Sequence, residues 1–191
     1  YIIFTSGTTG KPKGVPISHL ALFRFLCDVN QSLKFNSRDL FLLTTATTFD
    51  ISILEMFLPF VVHATLLICP KMTPESLLKI NTIIANKHPT VIQSTPSGWR
   101  MLLNLGTKLS NLSNVTALCG GENLDFELAQ KLLLNTKNLW NMYGPTEATI
   151  WVSANQIFPN EEVKIGGFFR SVKYFVLNDK LYPASPKSSG E

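Results

Sequence analysis

The sequence predicts an α/β fold, a wound and mostly parallel sheet with flanking helices. Short apolar runs alternate with amphipathic stretches of helical length along most of the 191 residues. Apolar residues make up 45% of the chain, enough for a substantial core. The first apolar run, Tyr1-Ile2-Ile3-Phe4, passes directly into ten residues that are all Thr, Ser, Gly, Lys or Pro. Ligand loops in wound sheets follow strands in this way.

Taken in order, strands are expected at residues 1–4, 40–44, 65–69, 90–93, 115–118, 139–142 and 173–177. The first reads as a buried strand. Ser18 is a plausible N-cap for a helix running to about residue 30. A second helix covers 51–60. Thr73 followed by Pro74 supplies an N-cap with proline at the first helical position, leading to residue 86. Helices over 96–105 and 124–134 complete the set. Strands separated by single helices point to a parallel sheet. Beyond about residue 155 the helical signal stops, and residues 173–184, with Asn178-Asp179 at the centre, resemble a hairpin. The expected division is an α/β subdomain for nucleotide and substrate over 1–155 and the beginning of a β-rich subdomain over 156–191. Both ends of the chain read as cut.

Composition narrows the classes of function. Net charge is +4, with Lys and Arg occurring singly rather than in a stripe, which argues against nucleic acid. Charged residues are only 16%, against about 25% in average soluble proteins, so much of the surface is expected to meet other protein. The longest apolar stretch, 51–69, is broken by Glu55, Pro59 and His63, so no membrane partner is expected. Cys27, Cys69 and Cys119 lie far apart in apolar contexts and read as small buried hydrophobes in a reducing, cytoplasmic compartment. They have no metal-ligand spacing. His19, His63 and His88 are isolated and read as structural.

The loop after the first strand is built to hold phosphate. Gly7, Gly10 and Gly14 let the backbone approach a ligand closely. Successive N–H groups in such a loop can form an anion-binding nest. Thr5, Ser6, Thr8, Thr9, Lys11 and Lys13 add further donors. The ligand these features suit is ATP. The loop is not a Walker A motif, because Gly10-Lys11 is followed by Pro12 and the next helix signal comes only at Ser18. A solvated loop rich in small residues is the plain alternative.

Three more segments fall at strand-to-helix junctions. In Thr48-Phe49-Asp50-Ile51-Ser52, the aspartate either caps the following helix or binds a ligand. Gly120-Gly121-Glu122 either lets a flat ring lie on the backbone or makes an ordinary turn. Asn141-Met142-Tyr143-Gly144-Pro145-Thr146-Glu147 combines an aromatic face, a tight turn, a hydroxyl and a carboxylate. A glutamate beside a phosphate site is a natural Mg²⁺ ligand, although a surface turn with an exposed acid would look the same.

Together these segments resemble the adenylate-forming enzymes: acyl-CoA synthetases, luciferases and the adenylation domains of nonribosomal peptide synthetases. The opening loop resembles that family's phosphate loop. Tyr143-Gly144-Pro145-Thr146-Glu147 is similar to its aromatic-Gly-x-Thr-Glu motif. Phe49-Asp50-x-Ser52 resembles the amino-acid-activating, peptide-synthetase branch. The likeness runs from Tyr1 to Gly190-Glu191. It implies part of the large N-terminal domain of a ligase-type enzyme that uses ATP and Mg²⁺.

The resemblance also implies roles. Thr5, Ser6, Gly7, Thr8, Thr9, Gly10 and Lys11 contact the β- and γ-phosphates. Tyr143 packs on adenine, and Asn141 and the Gly121 backbone bond its edge. Thr146 contacts the α-phosphate, Glu147 holds Mg²⁺, and Asp50 binds the substrate's α-ammonium. Ile51, Leu54, Gln93, Leu118, Gly120, Met142, Ile150 and Trp151 line the substrate pocket, a set that resembles glycine-activating pockets. The activated acyl group passes to the phosphopantetheine thiol of a carrier protein, beside condensation domains of a larger synthetase. The family's later ribose-binding Thr-Gly-Asp segment and catalytic lysine do not occur in this chain, so the chain by itself is expected to turn over little. Where the family continues Ile165-Gly166 with Arg-Pro, this chain has Gly167-Phe168. Two alternatives stay open: an acyl- or aryl-CoA synthetase, whose substrate gives Asp50 no partner, and a non-catalytic remnant or scaffold.

Overall fold

The computed structural model describes residues 1–6, 11–104 and 112–184. Its centre is a seven-stranded sheet. Strands β3 (Leu40–Leu43), β4 (Thr65–Ile68), β5 (Val91–Ser94), β6 (Thr116–Gly120) and β7 (Asn138–Tyr143) run parallel. β8 (Ser153–Ile157) turns back antiparallel on β7, and β9 (Gly167–Phe168) pairs antiparallel with β8. The strand order is β4-β3-β5-β6-β7-β8-β9.

Side-chain alternation along the inner strands divides the core. Leu42, Ile92, Ala117, Cys119 and Leu139 point to one face and pack with residues of α3 (Leu77–Lys87), α4 (Pro96–Asn104) and α5 (Phe126–Leu133). Phe41, Val91, Leu118 and Met142 point to the other and pack with α1 (His19–Leu33) and α2 (Ile51–Val61). Strands covered on both faces read as continuous apolar runs, which is why Leu40-Phe41-Leu42-Leu43 is so plain in the sequence. Trp99 is fully buried under β6 and donates its indole N–H to the Leu118 carbonyl at 3.1 Å.

The helix ends follow local chemistry. Ser18 caps α1 by accepting from the Ala21 N–H at 3.2 Å. Asp125 caps α5 through the Leu128 N–H at 2.9 Å. α4 begins on Pro96, where a missing N–H costs nothing. α3 starts later than Thr73-Pro74 suggested, with Ser76 at its N-cap. The Ser76 hydroxyl accepts from the Thr73 N–H at 3.0 Å and donates to the Lys71 carbonyl, which folds 73–76 into a turn instead. His63 and His88 take left-handed conformations where α2 and α3 end, in keeping with structural roles.

Four expectations are corrected. Residues 1–4 are not a buried strand of the main sheet. β1 (Ile2–Ser6) forms a separate two-stranded antiparallel ribbon with β2 (Pro12–Pro16), in the register Ile2↔Pro16 to Ser6↔Pro12. Ile2 and Phe4 are 64% and 71% exposed, while Ile3 and Val15 turn inward. Residues 173–177 form no strand, and the expected hairpin reduces to a single Leu177↔Pro183 bridge. Proline has no N–H to extend that ladder. β8 had no strand signal, because Ser-Ala-Asn-Gln-Ile is polar and takes its order from β7. Cys27 is exposed, because the buried face of α1 is formed by Phe25, Leu26, Asp28 and Val29. Cys119 is buried, and burial pushes its thiol well above the usual range. Among the described residues no helix is long and apolar enough to cross a membrane.

Candidate nucleotide and substrate site

The parallel strands end on one edge of the sheet, and the chemistry gathers there, as wound sheets dictate. Thr44 and Thr45 follow β3, Gln93 lies in β5, Gly120 and Gly121 close β6, and Met142 and Tyr143 close β7. The β1–β2 ribbon adds Thr5 and Ser6 from the side. A cleft of about 250 Å³ is lined by Thr5, Ser6, Thr48, Phe49, Asp50 and Thr146, among others. Three segments remote in sequence therefore share one cleft. Ser6 and Pro12 are register partners, so Lys11, which is exposed, stands close to that cleft's ribbon wall. Gly7, Thr8, Thr9 and Gly10 lie outside the described residues.

Asp50 precedes α2 and is 8% exposed. It does not cap the helix: its backbone is already helical, with φ −61° and ψ −31°, and its side chain accepts no bond from the first turn. Phe49 does that work, its carbonyl accepting from the Ser52 hydroxyl at 2.7 Å and the Ser52 N–H at 3.1 Å. Among the described residues no Lys, Arg or His forms an ion pair with Asp50. Its charge is felt nearby. The Tyr1 phenol is pushed up to about 12, first by its own burial and then by the Asp50 carboxylate.

A second cavity, about 390 Å³, opens beside β6 and β7 and is lined by Gly121, Asn141, Met142, Tyr143 and Trp151, among others. Gly121 has φ +84°, a conformation glycine adopts without strain. The Asn141 Nδ2 donates to the Lys164 carbonyl at 2.9 Å, which leaves Oδ1 as the acceptor. The Tyr143 ring is half exposed at the rim. Thr146 and Glu147 occupy a 3-10 turn, Thr146–Ala148, with Glu147 exposed.

The residues expected at the substrate-pocket wall lie close together in the core, and among them Met142 and Trp151 also line the larger cavity. Ile51, Leu54, Leu118, Met142, Ile150 and Trp151 belong to one packed cluster, and Leu54, Leu118 and Ile150 are fully buried. Gly120 is required by close packing, since a Cβ there would stand 2.4 Å from the Met142 carbonyl oxygen and 2.7 Å from Trp151 Cη2. Gln93 is 2% exposed and bonded on both ends of its amide.

Sequence reasoning missed Glu55, which is 1% exposed and directly bonded to Gln93. One carboxylate on the inner face of an apolar helix was the available signal, because such a group needs donors. It also missed the Lys164 carbonyl that orients Asn141. For metal ions, no cluster of three or more His, Cys, Asp or Glu side chains occurs among the described residues.

The sequence profile described as AMP-binding enzyme matches residues 1–191. A dimodular nonribosomal peptide synthase from Bacillus subtilis (strain 168) is 35% identical over 195 residues, covering 100% of this chain and 8% of that protein. The chain therefore spans a small part of the length of the curated relatives it matches. The structure of holo-AB3403, a four-domain nonribosomal peptide synthetase bound to AMP and glycine, is 36% identical with a TM-score of 0.87. That match covers 97% of this chain and 14% of the other. The Vibrio cholerae adenylation domain AlmE, in complex with glycyl-adenosine-5'-phosphate, is 26% identical with a TM-score of 0.84, covering 95% of this chain and 35% of that one. A profile match over every residue, together with the shared fold, establishes that the chain belongs to the AMP-binding enzyme family of ligase-type, adenylate-forming enzymes.

Proposed function

We propose that this site activates an amino acid as its aminoacyl-adenylate, with glycine as the substrate. The observation that carries the reading is Asp50. Its carboxylate is nearly buried, does not cap its helix and faces a cleft shared with Thr5, Ser6 and Thr146. A substrate α-ammonium supplies the missing cation. The acyl- and aryl-CoA alternative gives this carboxylate no partner.

The remaining residues fit a nucleotide. Asn141, its Nδ2 turned to the Lys164 carbonyl, presents its oxygen as an acceptor, which suits the exocyclic amine of adenine, and Tyr143 offers a ring face at the rim of the same cavity. The Gly121 backbone lines it too. Thr5, Ser6, the segment 7–10 and Lys11 hold the β- and γ-phosphates, and Thr146 holds the α-phosphate. Mg²⁺ suits Glu147, because this ion is bound through one or two carboxylates plus phosphate oxygens rather than by a protein cage. It would neutralise phosphate charge there.

The chain's own contribution is alignment. Asp50 fixes the ammonium end of the substrate, which directs the carboxylate towards the α-phosphorus, whose phosphate oxygens Thr146 contacts. An oxygen of that carboxylate bonds to the α-phosphorus, the bond to the β-phosphate bridging oxygen breaks, and pyrophosphate leaves into the grip of the opening loop. The acyl group then passes to the phosphopantetheine thiol of a carrier protein within a larger synthetase.

Glycine is favoured because the Trp151 indole stands against Gly120, with Leu54, Leu118 and Ile150 packed in the same apolar cluster, an arrangement that suits a substrate without a side chain. Two similar structures also carry glycine or its adenylate. Amino-acid-dependent pyrophosphate exchange by the full-length protein is expected to be highest with glycine and next with alanine. Preference for an aromatic or charged amino acid overturns the glycine assignment, and no exchange with any amino acid overturns activation itself.

A further inference from the structure

Glu55 takes no part in the reaction just described, yet it is the most deeply buried carboxylate in the core, 1% exposed. Its Oε2 accepts from the Thr44 N–H at 3.0 Å and the Thr45 N–H at 3.2 Å. Its Oε1 accepts from the Thr45 hydroxyl and from Gln93 Nε2 at 2.9 Å. Gln93 Nε2 also donates to the Ile51 carbonyl at 2.8 Å. The Gln93 Oε1 is then turned to the Trp151 indole N–H, which it accepts at 3.1 Å.

Each link in this chain has one permitted orientation. A carboxylate and a carbonyl on one side require the amide nitrogen there, and an indole, which only donates, requires the amide oxygen. The partners therefore settle the amide orientation. At the far end, Trp151 Cη2 lies 2.7 Å from where a Cβ on Gly120 would stand. Burial pushes the Glu55 carboxyl up from its ordinary value while its donors pull it back. An apolar side chain in its place would avoid that desolvation cost. What a carboxylate adds is an acceptor that faces four donors at once.

We propose that Glu55 is a positioning residue for substrate selection: acting through Gln93, it holds the Trp151 indole against Gly120 and so sets the upper size limit of the substrate side chain. This inference rests on the reading that the site activates a small amino acid.

Glu55→Gln preserves shape but puts an amide N–H2 among donors, so at least one of the four bonds is lost and the hold on the Gln93 amide weakens. The test is pyrophosphate exchange by the full-length protein with glycine and alanine. The alanine-to-glycine ratio of kcat/KM should rise about tenfold, within the range a single methylene is worth in such pockets, with KM for ATP unchanged. A Glu55 that served stability alone would lower both activities together and leave the ratio fixed, and that result overturns the inference. In a Trp151→Leu background, Glu55→Gln should change the ratio no further, because the effect runs through the indole. An equal further change overturns it. If Glu55→Gln does not fold, Gln93→Met cuts the same chain one link later while Glu55 keeps its Thr44 and Thr45 donors, and the same rise is expected. If the wild type prefers another amino acid, the glycine assignment falls and the ratio is read between that substrate and its next larger homologue. A wild type inactive with every amino acid overturns the functional reading and this inference together. An unchanged ratio in an active protein overturns the inference alone.

Discussion

Asp50→Ala is expected to lower amino-acid-dependent pyrophosphate exchange by roughly two to three and a half orders of magnitude while leaving the melting temperature within a few degrees of wild type. The size follows from the cost of leaving one member of a buried ion pair alone, about 3–5 kcal/mol, at about 1.4 kcal/mol per factor of ten. In the complex with a substrate ammonium, alanine leaves the cation without its partner. The small effect on stability follows from what Asp50 does not do. It accepts no bond from the first turn of α2, whose start is held by the Phe49 carbonyl. Among the described residues its structural benefit is the positive end of the helix, worth about 0.3–1 kcal/mol. Against this stands the cost of keeping a carboxylate 8% exposed, which alanine removes. Asp50→Asn should lose nearly as much activity, because charge rather than shape binds the ammonium. Exchange within tenfold of wild type, or a large fall in melting temperature with both variants, would show that Asp50 is a structural residue.

How far such a residue is visible in a sequence depends on where its partners lie. The inner strands were legible because burial on both faces makes them unbroken apolar runs, as in Leu40-Phe41-Leu42-Leu43. The ribbon was not, because Pro12-Lys13-Gly14-Val15-Pro16 carries the residues strands avoid, and β1, with Ile3 turned to the core, leaves Ile2 and Phe4 facing outward. Gly121, Asn141, Tyr143 and Thr146 were singled out because they lie at or near the ends of β6 and β7, and Asp50 because it opens α2, where turn residues interrupt the apolar pattern. Their convergence on neighbouring cavities needed the sheet order. Glu55 was passed over for the opposite reason. Its donors come from Thr44 and Thr45, just after β3, and from Gln93 in β5, 10 to 38 residues away in sequence, and no local pattern records them.

The turn between β7 and β8 carries the other large effect, and Gly144→Ala should destabilise the protein by about 3 kcal/mol or more, the upper end for overpacking. A Cβ on Gly144 would stand 2.5 Å from the Ile150 carbonyl oxygen, 2.5 Å from Trp151 Cα and 2.8 Å from the Val152 nitrogen. All three are backbone atoms, so no side chain can swing away to make room. The backbone itself has little slack. Thr149 and Ile150 both hold left-handed conformations, φ 71° and 69°, which are costly for β-branched residues. The Val152 N–H is tied to the Tyr143 carbonyl at 2.7 Å. Relief must come from parting that bond, which moves Tyr143 on one side and Trp151 on the other. Activity should therefore fall together with stability, unlike the Asp50 variants. Thermal unfolding should show a melting temperature lower by several degrees, at about 2–4 °C per kcal/mol for a chain of this size. Gly167→Ala is the control, since nothing lies within 4 Å of its Cβ position. Equal melting temperatures for the two alanine variants would mean that the 144–152 turn is not under the constraint its backbone geometry describes.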